Sequence, residues 1–168
     1  MLTLTLFRHA KSSWTSTASS DHARPLNNRG LRDAPLMAQE LLKRGLAPDR
    51  CLVSSAQRTR ETAAACIEAG LVSESNVVFF DELYLASPET LLDVAQTDFL
   101  CQAVPPKHVL VMAHNPGLET LANNLSDFET GTLPTAAVAH FKVQAEDFAV
   151  LNTANTSLEF CLSPKKLA

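Results

Sequence analysis

The segment that most constrains this chain is His108-Val-Leu-Val-Met-Ala113, which is apolar at every position after the histidine. A strand with no polar alternation must be covered on both faces, as a central strand of a parallel sheet is. The rest of the chain supplies the partners such a strand needs. Segments with strand character, Leu2 to Phe7, Arg50 to Ser54 and Asn76 to Phe80, are separated by segments of helical spacing. Asn27 or Asn28 can cap a helix carrying Leu31, Ala34, Met37, Ala38, Leu41 and Leu42, with Pro35 inside it and Gly45 at its end. Ser55 can cap a helix from about Ala56 to Ala69, stopped by Gly70, and Ser87-Pro88 opens another. Asn115-Pro116 repeats that signal before Leu118, Leu121, Ala122 and Leu125. Two final strands, about Ala137 to Val143 and Ser157 to Leu162, have no helix between them. The pattern predicts an α/β three-layer α/β/α sandwich in a single domain, residues 1–168. Its central sheet is expected to be mostly parallel with an antiparallel edge strand.

Composition narrows the function classes. With 14 Lys and Arg against 18 Asp and Glu, the net charge of −4 gives no reason to expect nucleic acid as a partner. A basic site must therefore be local. The four cysteines are scattered, without C-x-x-C spacing, which points away from a thiolate zinc site or a disulfide framework. No apolar run reaches the ~20 residues of a membrane span, and Met1 to Phe7 is too short for a signal segment. The expectation is a reduced, cytoplasmic protein with no membrane partner.

In a parallel α/β sheet, ligands bind beyond the carboxyl ends of the strands. Arg8 and His9 follow the first strand there; Ser54, Ser55 and Arg58 follow the second; Asp81 and Glu82 the third; His114 the apolar one. Singly, each has an ordinary explanation, since a strand-end arginine is often a surface charge and a histidine often a structural hydrogen-bonding group. Together they suit phosphoryl transfer. Guanidinium forks match a tetrahedral dianion. A helix N-terminus near Arg58 adds partial positive charge. A neutral imidazole is a competent nucleophile, and a second, protonated histidine can stabilise the transferring group. Leaving-group protonation needs an acid. Glu82, directly after a strand, and Asp21, on the polar loop Lys11 to Asp21 that reads as mobile, both qualify. His22, His108 and His140 lack this placement and read as structural or exposed. No Asp/His cluster has metal-ligand spacing, so no metal or other cofactor is expected.

The same residues carry a resemblance. Leu6-Phe-Arg-His-Ala-Lys-Ser12 resembles the Arg-His signature of the histidine phosphatase superfamily, which includes cofactor-independent phosphoglycerate mutases. Val53-Ser-Ser-Ala-Gln-Arg-Thr-Arg-Glu-Thr-Ala63 resembles its second motif, and Val109 to Ala113 with His114-Asn-Pro-Gly117 its second histidine motif. Small size, Ala10 where glycine is more usual, and Asp21-His-Ala-Arg-Pro-Leu26 resemble the SixA-like branch, which contains phosphohistidine phosphatases. The resemblance covers roughly Leu2 to Leu125. It implies that His9 becomes phosphorylated while Arg8, Arg58 and His114 hold the phosphoryl oxygens, with Ser12 and Arg24 as further substrate contacts. The implied activity is metal-independent hydrolysis of a phosphorylated protein (phosphohistidine) or a small phosphomonoester. A mutase-like phosphoryl transfer and a non-catalytic phosphoprotein-binding module are the alternatives. The longer insertion that carries the acid in larger members is short here.

Overall fold

A computed structural model describes residues 1–167. In chain order these form β1 (Leu2–Arg8), α1 (Asn28–Lys43), β2 (Arg50–Ser54), α2 (Gln57–Glu68), β3 (Val77–Phe80), α3 (Pro88–Leu100), β4 (His108–Ala113), α4 (Gly117–Ser126), β5 (Val138–Val143), β6 (Thr156–Leu162) and α5 (Pro164–Leu167). One six-stranded sheet has the order β3-β2-β4-β1-β5-β6. The first four strands of the chain pair in parallel, while β5 is antiparallel to both β1 and β6. The antiparallel pairing expected at the sheet edge is thus centred on β5, and β6 again runs in the direction of β1.

Strand alternation divides the core between the two faces. Val109, Val111 and Ala113 of β4, with Leu4 and Leu6 of β1, pack with Leu91, Leu118 and Leu121 from α3 and α4. Leu110, Met112 and Phe7 pack on the other side with Ala34, Met37 and Leu41 of α1 and Ala63 and Cys66 of α2. All six residues of β4 are buried, as its uninterrupted apolar character requires. Buried Cys66 has its thiol pushed up to about 12 by burial, the behaviour of a packing residue.

The α1 stripe is narrower than the sequence suggests. Gly30, Ala34, Met37, Ala38 and Leu41 are buried, whereas Leu31 and Leu42 lie off that line and are exposed. Pro35 sits inside the continuous helix; the carbonyl it leaves unbonded belongs to Leu31, on the solvent side. Asn27 is the cap, its side chain accepting from Gly30 N. Two of the expected caps are different. Ser55 does not cap α2, whose N-terminus at Ala56 has no side-chain cap, and α4 begins at Gly117 after a cis Asn115–Pro116 bond. Both side chains are committed to tertiary contacts at the sheet edge instead. Two glycines are required there by close approach. A Cβ on Gly30 would collide with the Lys11 carbonyl, and one on Gly117 with the Ala86 carbonyl. These contacts press the starts of α1 and α4 onto loops that border the candidate site.

At the opposite end of the sheet, Thr5 Oγ1 lies 2.7 Å from His108 Nε2 and 2.8 Å from His140 Nδ1. One hydroxyl, which has a single proton to give and can also accept, thus bridges the two imidazole rings. Both histidines are structural, as expected.

Candidate active site

The carboxyl ends of β1, β2 and β4 bring Arg8, His9, Arg58 and His114 together. The backbone of His9 is clamped from both sides, its N–H donating to Ala113 O (3.3 Å) and its carbonyl accepting from Ala136 N (2.9 Å). His9 Nδ1 lies 2.7 Å from the Ala10 carbonyl. A carbonyl only accepts, so Nδ1 holds the proton and Nε2 keeps its lone pair. With 6% of its surface exposed, His9 is pushed down to about 3, by burial first and then by Arg58, Arg8 and Arg24. It is a neutral imidazole at pH 7, as in-line attack on phosphorus demands.

His114 is the neighbour, its ring centroid 5.2 Å from that of His9. Its Nε2 is 2.7 Å from Ser54 Oγ. Ser54 Oγ also accepts from Ala56 N (3.4 Å), and His114 Nε2 is the one acceptor paired with its buried hydroxyl, so the arrangement that leaves no serine proton unpaired puts the imidazole proton on Nδ1. Burial, followed by repulsion from His9 and Arg58, pushes His114 down to about 3, which favours a neutral ring over the protonated one expected from the sequence.

Three buried nitrogens of this group have no hydrogen-bond partner: Arg8 Nε, Arg58 Nε and His114 Nδ1. Orphaned buried donors are costly and rare in native proteins, and an anion is one group whose oxygens would satisfy three of them at once. The remaining bonds hold the cluster in place. Arg8 Nη1 donates to Leu133 O at 3.1 Å, and Asn115 Nδ2 reaches the same carbonyl (2.9 Å) and Glu119 Oε2 (3.0 Å). Thr62 Oγ1 donates to Arg58 O (2.7 Å) and accepts from Ala10 N (3.1 Å), tying α2 to the His9 loop.

The two candidate acids end elsewhere. Glu82 is exposed and lines a groove with Thr90, Asp93, Thr97 and Cys101; no hydrogen bond or ion pair joins it to the cluster. Its neighbour two residues on, Tyr84, turns in instead, because the short helical turn Asp81–Leu83 rotates the chain. Tyr84 packs edge-on against His114 and His22, and its hydroxyl donates to Asp21 Oδ2. Asp21 does reach the site, but as an anion. The Tyr84 hydrogen bond first, with Arg58 and Arg24, holds its carboxyl down at about 2, outside the range of a proton donor at neutral pH. Asp21 accepts from Arg58 Nη2 at 3.1 Å and from Arg24 Nε at 3.0 Å, and its backbone carbonyl accepts from Arg58 Nη1 at 2.8 Å.

Arg24 is therefore at the site, stacked 3.6 Å over the Trp14 ring and donating to Ser13 O. These bonds, with the Ser12–Leu26 bridge, pin both ends of the polar loop expected to be mobile. Ser12 is buried in that bridge, and no hydrogen bond joins its side chain to the cluster. His22, read as structural or exposed, is a rim residue, with Nε2 2.9 Å from Ser55 Oγ. Tyr84 and Glu119 carry no sequence signal for the site, whereas Ser54 is among the strand-end residues that the sequence places there, without a role. Among the described residues, no three His, Cys, Asp or Glu side chains are grouped as metal ligands, and no helix is long and apolar enough to cross a membrane.

Residues 4–79 match the model of the histidine phosphatase superfamily, branch 1. An uncharacterized protein of Mycobacterium leprae is 30% identical over 150 residues, covering 88% of this chain and 87% of that protein. The chain belongs to the histidine phosphatase superfamily. An uncharacterized chloroplastic protein of Arabidopsis thaliana is 36% identical over 131 residues, 73% of this chain but only 58% of the plant protein. Among solved structures, SixA of Agrobacterium tumefaciens, assigned as a phosphohistidine phosphatase, superposes with a TM-score of 0.77 at 27% identity, covering 97% of this chain and 98% of that one. The α/β architecture is that of this family.

Proposed function

We propose that the protein is a metal-independent phosphatase in which His9 Nε2 accepts the phosphoryl group. The observation that carries this reading is the lone pair on His9 Nε2, fixed by the Nδ1 bond to the Ala10 carbonyl, beside three orphaned donors of Arg8, Arg58 and His114. The N–P bond forms as the bond from phosphorus to the leaving group breaks. Water then attacks phosphorus, the His9–P bond breaks, and the water's protons leave with orthophosphate. Arginine charge and the His114 donor stabilise the equatorial oxygens in both steps.

The fate of the acid bears on the substrate. Asp21 is held ionised and Glu82 faces another groove, so a basic alkoxide leaving group finds no donor here. A phosphohistidine protonated on its far ring nitrogen releases a neutral imidazole and needs none. A phosphohistidine-bearing protein is thus the substrate class these residues suit best, and the likeness to SixA structures supports the same reading. Aryl phosphates, with weakly basic leaving groups, are usable surrogates.

The test is turnover of phosphoramidate, p-nitrophenyl phosphate and glycerol phosphate in EDTA. The first two are expected to be hydrolysed and the third poorly, and His9→Ala should lose both activities while keeping its fold. Retention of more than a few per cent by His9→Ala refutes the nucleophile, and efficient alkyl ester hydrolysis refutes the substrate class.

A further inference from the structure

Asp21 is an anion lodged among the cations that a phosphoryl group requires. Its carboxylate and carbonyl already take one N–H from each Arg58 Nη atom, and its second carboxylate oxygen takes Arg24 Nε. The carboxylate is held on Arg58 from the far side by Tyr84, whose hydroxyl donates to the same oxygen, Oδ2. Arg58 does not depend on that carboxylate for its place. Its side chain is 4% exposed, and its bond to the Asp21 backbone carbonyl needs no side chain. The Asp21 side chain, by contrast, is 45% exposed on a loop and has Arg24 as a second partner.

From this arrangement we infer that Asp21 is a resident competitor. Its carboxylate lowers the affinity of the Arg8–Arg24–Arg58 cluster for phosphate-like dianions and so speeds release of orthophosphate. The inference deepens the phosphatase reading, resting on its anion site but not on turnover. A dianion entering the site meets one full negative charge within the reach of the same guanidinium. One charge against two over about 5 Å costs more than a kcal/mol even at the dielectric constant of water, equivalent to roughly tenfold in affinity. The effect shrinks as salt screens the half-exposed carboxylate. Tyr84 is a positioning residue in this scheme, since it keeps Oδ2 on Arg58.

The experiment is calorimetric titration of the full chain with orthophosphate and with tungstate, comparing wild type, Asp21→Asn and Tyr84→Phe at low and high salt. Asp21→Asn is expected to bind both anions roughly tenfold more tightly at low salt, with the gain falling at high salt. Tyr84→Phe keeps the ring against His114 and is expected to shift affinity in the same direction by a smaller factor. In steady-state assays, Asp21→Asn should lower the inhibition constant for orthophosphate, with kcat lowered where release limits turnover. Unchanged or weaker anion binding by Asp21→Asn, with a native melting profile, overturns the inference and makes Asp21 a strut for Arg58. Tight anion binding with no turnover by any variant leaves the inference standing and refutes the phosphatase reading instead.

Discussion

Replacing Ser54 by alanine separates what holds His114 from what His114 does. The Ser54 hydroxyl is fully buried and is the partner of His114 Nε2, 2.7 Å away, while His114 Nδ1 already lacks one. Alanine removes one net hydrogen bond, worth about 1 kcal/mol, and strands a buried ring nitrogen at a further cost of about 1 kcal/mol or more. The expected loss of about 2 kcal/mol is roughly 4–8 °C in Tm for a chain of this size. The second consequence is chemical. Without the serine proton on Nε2, the two imidazole tautomers become comparable, and about half the molecules or more point a lone pair rather than N–H at the phosphoryl oxygens. With lost orientation included, kcat on p-nitrophenyl phosphate should fall roughly tenfold or more, with orthophosphate affinity weakened in parallel. Urea unfolding, initial rates and phosphate titration on one preparation check both arms. A variant with wild-type stability and wild-type kcat would refute the tautomer argument. Lost stability with unchanged kcat would confine Ser54 to packing.

Two further outcomes follow from the buried histidines. Both His9 and His114 are pushed down to about 3 by burial, so their ring resonances should stay flat between pH 5 and 8; a midpoint near the ordinary 6.5 for either would contradict the neutral pair. His108 is lowered from 6.5 to about 4, chiefly by burial, so its contribution to stability is complete above pH 6.5 and is lost as pH falls through that window. His108→Gln should flatten the acid limb of the urea stability profile by up to about 3 kcal/mol near pH 4, and an unchanged limb would place the acid sensitivity elsewhere.

The strand-end rule made much of the site legible. Arg8, His9, Arg58 and His114 were readable because each follows a strand whose apolar pattern is strong, and a parallel sheet places such positions on one edge. The acid was not readable for a geometric reason. Glu82 is also adjacent to a strand end, but a single helical turn over Asp81–Leu83 exchanges its direction with that of Tyr84. No periodicity in so short a segment records that rotation. Asp21 lies near the site, and its ionised state is set by Tyr84 and Arg58, 63 and 37 residues away in the chain, which no local pattern records. The helix caps failed similarly. Ser55 and Asn115 carry good capping chemistry, yet His22 in one case and Glu119 with the Leu133 carbonyl in the other compete for their side chains.

The clamp on His9 has a consequence for how the molecule comes into being. Its N–H is bonded to residue 113 and its carbonyl to residue 136, and β1 lies in the sheet between β4 and β5. During synthesis His9 emerges well before either of the residues that hold its backbone, Ala113 and Ala136. Until both later strands have closed around β1, His9 lacks its backbone anchors and His114 is not beside it. Such non-local closure is slow relative to helix formation and exposes apolar strand edges while it waits. A nascent or truncated chain ending before β5 cannot assemble this site, so the appearance of activity should report completion of the whole sheet rather than of its first half.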